Sequence, residues 1–248
     1  KELGRVELSH EHRNWIGDQL GKLGDPRLGV GLADDGLPDI SWLEVPSGNV
    51  SVERAGNFEV AELLISEYPL TQAQFQPFLE AEDGFKDPTW WSGLSASQDH
   101  RSQPGEQRFQ GSNYPRENVS WYDSVAYCRW LTKQLANSTR RNDQAVENIK
   151  NQGWVIRLPA EWEWQMAATG GDPENKFPWG LDWDDSLANT KHNQLNKALA
   201  VGLYLAGRSP IGALDMSGNI WEWCLNCYEK PEKLALDRID RRVLRGGS

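Results

Sequence analysis

The residues of this chain best suited to chemistry sit in one stretch, IGALDMSGNIWEW, from Ile211 to Trp223. It sets Glu222 between Trp221 and Trp223, just after Gly218 and Asn219. Strand side chains alternate, so both indoles face one side and the carboxylate the other. The Gly-Asn pair suits a turn or bulge with positive φ. A carboxylate and an amide among large aromatics make either an oxygen-rich cation site or a mutually satisfied buried polar pair. Just beyond, Cys224 and Cys227 form a C-x-x-C, the spacing of zinc sites and redox pairs. A structural zinc needs about four ligands. Only Cys128 and the His at 10, 12, 100 and 192 remain to supply them. Residues i and i+3 of a strand also face opposite sides, so these cysteines read as packing residues.

Other chemistries find little support. There is no G-x-G-x-x-G, G-x-x-x-x-G-K-[ST], H-E-x-x-H or G-x-S-x-G pattern. Glu161 and Glu163 are two apart on an expected helix and point away from each other, so they are not an acid/base pair. Asp182, Asp184 and Asp185 read as a solvated acidic turn rather than a calcium loop.

The bulk properties narrow the class. A chain of 248 residues with net charge −10 lacks the basic face that nucleic-acid binding needs. Arg238, Arg241, Arg242 and Arg245 are its one basic cluster, read as scattered solvated charges. No apolar run is long enough to span a bilayer, and no signal peptide is visible. Three Cys do not describe a disulfide framework, so the chain reads as reduced and cytoplasmic. It starts at Lys1 without Met, which reads as a trimmed fragment. The 13 Trp can build a core in a loop-rich fold because aromatics bury so much area each.

The elements that must carry these residues follow from pattern. Leu8 to Leu23 predicts an amphipathic helix with Leu8, Trp15, Ile16, Leu20 and Leu23 inward, weakened by Gly17. GDPRLGVGLADDGLPDI then reads as a linker or extended arm. This divides the chain into an N-terminal helix and arm over 1–41 and a main domain over 42–248. Ile40 to Val45, Val50 to Val52 and Phe58 to Ile65 are strand candidates. Thr71 and Gln74 form a capping box ahead of a short helix with Pro77 inside. Lys86 to Gly111 is a long polar loop in which Trp90 and Trp91 either anchor the chain or offer a contact surface. Ser120 caps a strong helix, Trp121 to Leu135. Ala136 to Gln152 reads as a loop insertion. Pro159 opens a second good helix, closed by Gly170-Gly171.

Five ordered motifs resemble one family. They are ISEYPLTQAQFQPF (Ile65 to Phe78), NVSWYDSVAYCRW (Asn118 to Trp130), RLPAEWEWQMAATGG (Arg157 to Gly171), FPWG with Asn189-Thr190, and DMSGNIWEW followed by RVLRGGS. Together they are similar to the formylglycine-generating-enzyme/sulfatase-modifying-factor domain, over roughly Trp42 to Ser248. The resemblance implies an α+β, C-type-lectin-like fold of short strands, two main helices and long loops. It implies structural calcium held by Asn189, Asn219, the Ile220 carbonyl and Glu222. The family's copper-binding catalytic cysteine pair lies downstream of RGGS, beyond Ser248. Cys128, Cys224 and Cys227 do not match it, so no copper and no catalytic residue are expected. The iron-dependent sulfoxide synthases of the family take their iron-binding histidines from another domain.

Several segments are most similar to a bacterial, non-enzymatic branch, the variable proteins of diversity-generating retroelements. That branch displays a hypervariable C-terminal segment on this scaffold to bind protein or other macromolecular ligands. The expected function is therefore a ligand-binding display protein. Trp121, Trp130, Trp162, Trp164, Trp221 and Trp223 carry the scaffold, while Trp90, Trp91 and Asn113 edge the binding surface. The alternatives are a copper- and oxygen-dependent oxidase converting a substrate Cys to formylglycine, and a structural accessory domain of a signalling protein.

Overall fold

The computed structural model describes residues 8–96, 103–140, 143–237 and 239–247. Arg238 of the basic cluster and the terminal Ser248 lie outside the described residues. The elements run α1 (His10–Leu23), β1 (Trp42–Val45), β2 (Gly48–Val52), β3 (Gly56–Val60), β4 (Leu63–Ser66), α2 (Gln72–Glu80), α3 (Trp121–Asn137), α4 (Gln144–Gln152), α5 (Glu161–Thr169), β5 (Trp221–Cys227) and β6 (Arg242–Gly246). The fold is α+β and C-type-lectin-like, with short antiparallel ladders and long connections.

The expected Phe58 to Ile65 strand is two strands. β3 pairs with β2 while β4 pairs with β1, forming nested hairpins with the break at Ala61-Glu62. A single strand could not serve both partners. The capping boxes form as the sequence predicts. Thr71 Oγ1 accepts from Gln74 N, and Ser120 Oγ accepts from Asp123 N at 3.0 Å. Each satisfies an orphan N–H of a first helical turn.

Ala136 to Gln152 is not a simple loop insertion. It folds into α4, capped by Asp143 and closed by left-handed Gly153. Val146 and Ile149, three apart, share one buried face and join the core around α3. The polar composition hid that short stripe.

α1 forms, but a different face is buried. Trp15 is 56% and Leu23 85% exposed, whereas Arg13 and Gly17 are the buried positions. A Cβ at Gly17 would stand 2.8 Å from Leu203 Cδ1 and 2.9 Å from Ala200 Cβ. The glycine thus permits the close approach that packs α1 against 200–204. Arg13 Nη1 donates to Leu203 O at 2.8 Å, and its guanidinium lies 5.0 Å over the Tyr204 ring. The following segment is tied to α2. Thr71 Oγ1 donates to Val30 O and Gln74 Nε2 to Gly29 O, at 2.7 and 2.8 Å.

Two cores flank the site. One surrounds α3, where Phe75, Phe78, Phe85, Trp91, Tyr127 and Trp130 meet in edge and stacked pairs. Such pairs add about 0.5–1.5 kcal/mol each beyond their area burial. The other packs α5 against β2, β3 and β5 through Val45, Val50, Trp164, Ala167 and Cys224.

Candidate functional site around Trp221

β5 and β6 pair antiparallel, with Trp221 opposite Gly246, Glu222 opposite Arg245 and Trp223 opposite Leu244. The alternation holds. Trp223 turns toward the α3 core and donates Nε1–H to Val119 O at 3.0 Å. Glu222 turns the other way and accepts from Trp164 Nε1 at 3.3 Å.

The expected scaffold tryptophans divide. Trp121, Trp130 and Trp164 are buried; Trp162 stacks on Phe58 at 4.6 Å; Trp223 is half-buried. Trp221 is 59% exposed and is not scaffold. Its cross-strand partner is Gly246, which has no side chain to cover the indole. The binding-edge residues divide in the opposite sense. Trp91 is 1% exposed in the α3 core, its Nε1–H satisfied by Phe85 O. Trp90 is half-buried and pinned to Asp83 O at 2.6 Å. Asn113 is buried against α1, donating to Gly17 O and Asp25 Oδ2. Trp91 and Asn113 therefore belong to packing, not to a surface.

The four oxygen-bearing positions fall into two groups. Asn189 and Asn219 form a closed hydrogen-bond pair. Asn219 Oδ1 accepts from Asn189 Nδ2 at 3.1 Å and Leu199 N at 2.8 Å. Asn219 Nδ2 donates to Leu199 O and Asp215 Oδ2. Asn219 holds φ 62°, a left-handed conformation that Asn tolerates. Its amide is committed to this network.

Glu222 is different. Its Oε1 is enclosed and meets no hydrogen-bond donor. Burial pushes the carboxyl pKa up to about 8, against the opposing Trp164 hydrogen bond. A Cβ at Gly246 would lie 3.5 Å from this oxygen and 2.9 Å from the Ile220 carbonyl oxygen. The glycine thus approaches both oxygens closely, and the Ile220 carbonyl accepts from Gly247 N at 3.0 Å. An unpartnered carboxylate oxygen beside a carbonyl is a hard-oxygen donor set of the kind that suits Ca²⁺. Among the described residues no three His, Cys, Asp or Glu side chains cluster as metal ligands. Of the four expected ligand positions, Glu222 is the one with a side-chain oxygen that is buried without a donor.

Trp221 borders three cavities. One of about 420 Å³ runs between β4, the 154–159 segment and β5 and is mainly apolar. One of about 260 Å³ lies beside α5 and the 176–178 turn. The third, of about 500 Å³, opens between 108–119, 189–198 and β5. Asn118, Asn196 and Asn219, three of the six non-glycine residues with positive φ among the described residues, line this third cavity. Arg108, Lys191 and Lys197 also line it. Of these residues, Asn219 is a candidate metal ligand in the sequence; Asn118, Asn196, Lys191 and Lys197 are signalled only as Asn-rich turns, RENV and KHNQLNK, and Arg108 not at all.

The cysteines are all buried and free. Burial lifts the Cys128 thiol to about 12 and Cys224 well above its usual range. Neither is poised as a thiolate. Glu161 and Glu163 face separate arginines, Arg245 at 3.4 Å and Arg157 at 2.7 Å. No described helix is long and apolar enough to cross a membrane.

Helical and looped segments converging on a β5–β6 ladder, with an exposed indole at its end, define a C-type-lectin-like scaffold. The chain belongs to the sulfatase-modifying factor enzyme 1-like domain family, which it matches over residues 40–248. Among its relatives, mouse "Inactive C-alpha-formylglycine-generating enzyme 2" is 26% identical, covering 90% of this chain and 77% of that protein. The hercynine oxygenase of Mycobacterium tuberculosis is 29% identical, but the chain, matching over 77% of its own length, spans only 46% of that protein. The fold matches Treponema denticola variable protein 1 with TM-score 0.50 and 19% identity, covering 84% of this chain and 83% of that one.

Proposed function

We propose that this protein is a non-enzymatic ligand-binding display domain whose ligand seats against Trp221. The observation that carries the reading is that one exposed indole, on a strand anchored between two cores, borders three cavities at once. Exposed aromatics fixed on a rigid element bind with little loss of side-chain entropy. Burial raises the Cys128 and Cys224 thiols, so neither of these two offers a thiolate nucleophile. Kinship with a protein named as inactive, and a fold shared with one named as variable, point the same way.

Calcium is part of the proposal as a structural ion. Glu222 and the Ile220 carbonyl would hold it, pinning β5 to the Gly246 end of β6, while Asn189 and Asn219 stay in their hydrogen-bond pair. Chelation of a calcium-loaded sample would then lower the melting temperature, because an ion bound only by the native state stabilises it.

The competing reading is a copper- and oxygen-dependent oxidase acting on a substrate Cys, favoured by the enzymes among the relatives. Oxygen uptake with a Cys-containing peptide and added copper separates the two. No uptake, together with Trp221-dependent binders from a random peptide library, is the expected result. Turnover of the peptide would overturn the display reading.

A further inference from the structure

The ligand class can be narrowed from the charge around the third cavity, an inference that rests on the binding role of Trp221. The chain as a whole carries net charge −10. The cavity of about 500 Å³ reverses that sign locally, with Arg108, Arg116, Lys191 and Lys197 against the single acid Glu117. Glu117 Oε1 is already engaged by Phe109 N at 2.6 Å. Arg116 is buried and points its guanidinium to Gly105 O and Gln107 Oε1. The other three cations are not so employed. Arg108, Lys191 and Lys197 form no ion pair among the described residues, and the Arg108 guanidinium lies 5.1 Å over the Phe109 ring. Three cations without an ion pair among the described residues, ringing a cavity walled by Trp221 and Trp223, call for a ligand that brings negative charge and an apolar face together.

We infer that the cavity takes an acidic segment of a partner protein, with carboxylates toward Arg108, Lys191 and Lys197 and an apolar or aromatic side chain against Trp221. A nucleic acid fits less well. Its phosphates need an extended basic track, and outside this cavity the protein surface is net negative and would repel them. A carboxylate-bearing loop needs only the local patch, and charge complementarity of this kind sets specificity and association rate.

The test uses the full chain and three capped peptides alternating Phe with Glu, Gln or Lys, titrated by Trp fluorescence. The Glu peptide should bind at least about tenfold tighter than the Gln peptide and weaken with added salt, because exposed charges are screened. The double variant K191E/K197E should reverse the preference toward the Lys peptide. Both lysines are on surface loops, and R108E provides a second, independent reversal. Equal binding of Glu and Gln peptides, both lost in Trp221→Ala, would sink the acidic-ligand inference and leave the Trp221 site standing. Binding of the Glu peptide that survives both charge reversals would also sink it. If no peptide binds and a random library yields no Trp221-dependent binder, the inference and the site fall together.

Discussion

The α3 core and the Trp221 edge are built from similar residues but solve opposite problems. Around α3, Phe78 meets Phe75, Phe85, Tyr127 and Trp130 at centroid distances of 5.4–5.7 Å, and Trp130 is 2% exposed. Every ring has a ring to pack on. At the Trp221 edge the indole faces a glycine, a carboxylate oxygen lacks a donor, and three cations form no ion pair among the described residues. An aromatic-rich sequence thus yields a scaffold where rings pair and a receptive surface where they do not. Ring packing, rather than residue type, separates the two regions; a buried polar atom without a partner occurs in both, Trp130 Nε1 in the core and Glu222 Oε1 at the edge.

The sharpest way to break the comparison is truncation on each side. Trp130→Ala should lose about 3–5 kcal/mol of stability, because it empties a close-packed aromatic site. Trp221→Ala should lose under about 1 kcal/mol, as exposed positions do, yet abolish Trp221-dependent binding. Chemical denaturation of both variants checks this. Similar losses would erase the distinction.

A second effect concerns Glu222. Its folded pKa is near 8, above its ordinary 4.5, so the folded state holds the proton more tightly than the unfolded. Stability is therefore greatest below about pH 4.5 for this group and falls as pH rises toward 8, by a few kcal/mol at most. Asp215, raised to about 6, adds a similar fall over a lower window, so the range above about pH 6 isolates Glu222. Glu222→Gln should flatten the melting temperature there in calcium-free buffer. Added calcium should stabilise the wild type most at high pH and leave Glu222→Gln unmoved. A variant as pH-sensitive as the wild type would contradict the assignment.

Next in size, Gly17→Val should cost about 1–3 kcal/mol by overpacking α1 against Leu203 and Ala200. Gly17→Ala should cost less. Thermal melts of the pair would show whether α1 is an integral wall or a loosely docked helix. An unchanged melting temperature for the valine variant would favour the latter.

Much of the scaffold was legible because it rests on local chemistry. Thr71 with Gln74, and Ser120 with Asp123, announce helix starts through side chains that reach only three residues. The alternation of Trp221, Glu222 and Trp223 follows from strand geometry alone. What escaped depends on distant partners. Trp221 looked like scaffold because its exposure is set by Gly246, 25 positions away along the chain. Trp91 and Asn113 looked like surface because their burial needs Phe85 and α1. Gly17 weakened the helix by propensity, yet is its contact point, since Leu203 and Ala200 demand a missing Cβ. The basic cavity draws on two distant loops and β5, and no spacing rule unites Arg108 with Lys191 and Lys197.

The most direct test of the central claim is amide hydrogen exchange on the full chain, with and without a peptide binder selected against it. Protection confined to 108–119, 189–198 and 220–223, and lost in Trp221→Ala, is the result this account predicts. Protection centred elsewhere, on α1 or on α4, would contradict it.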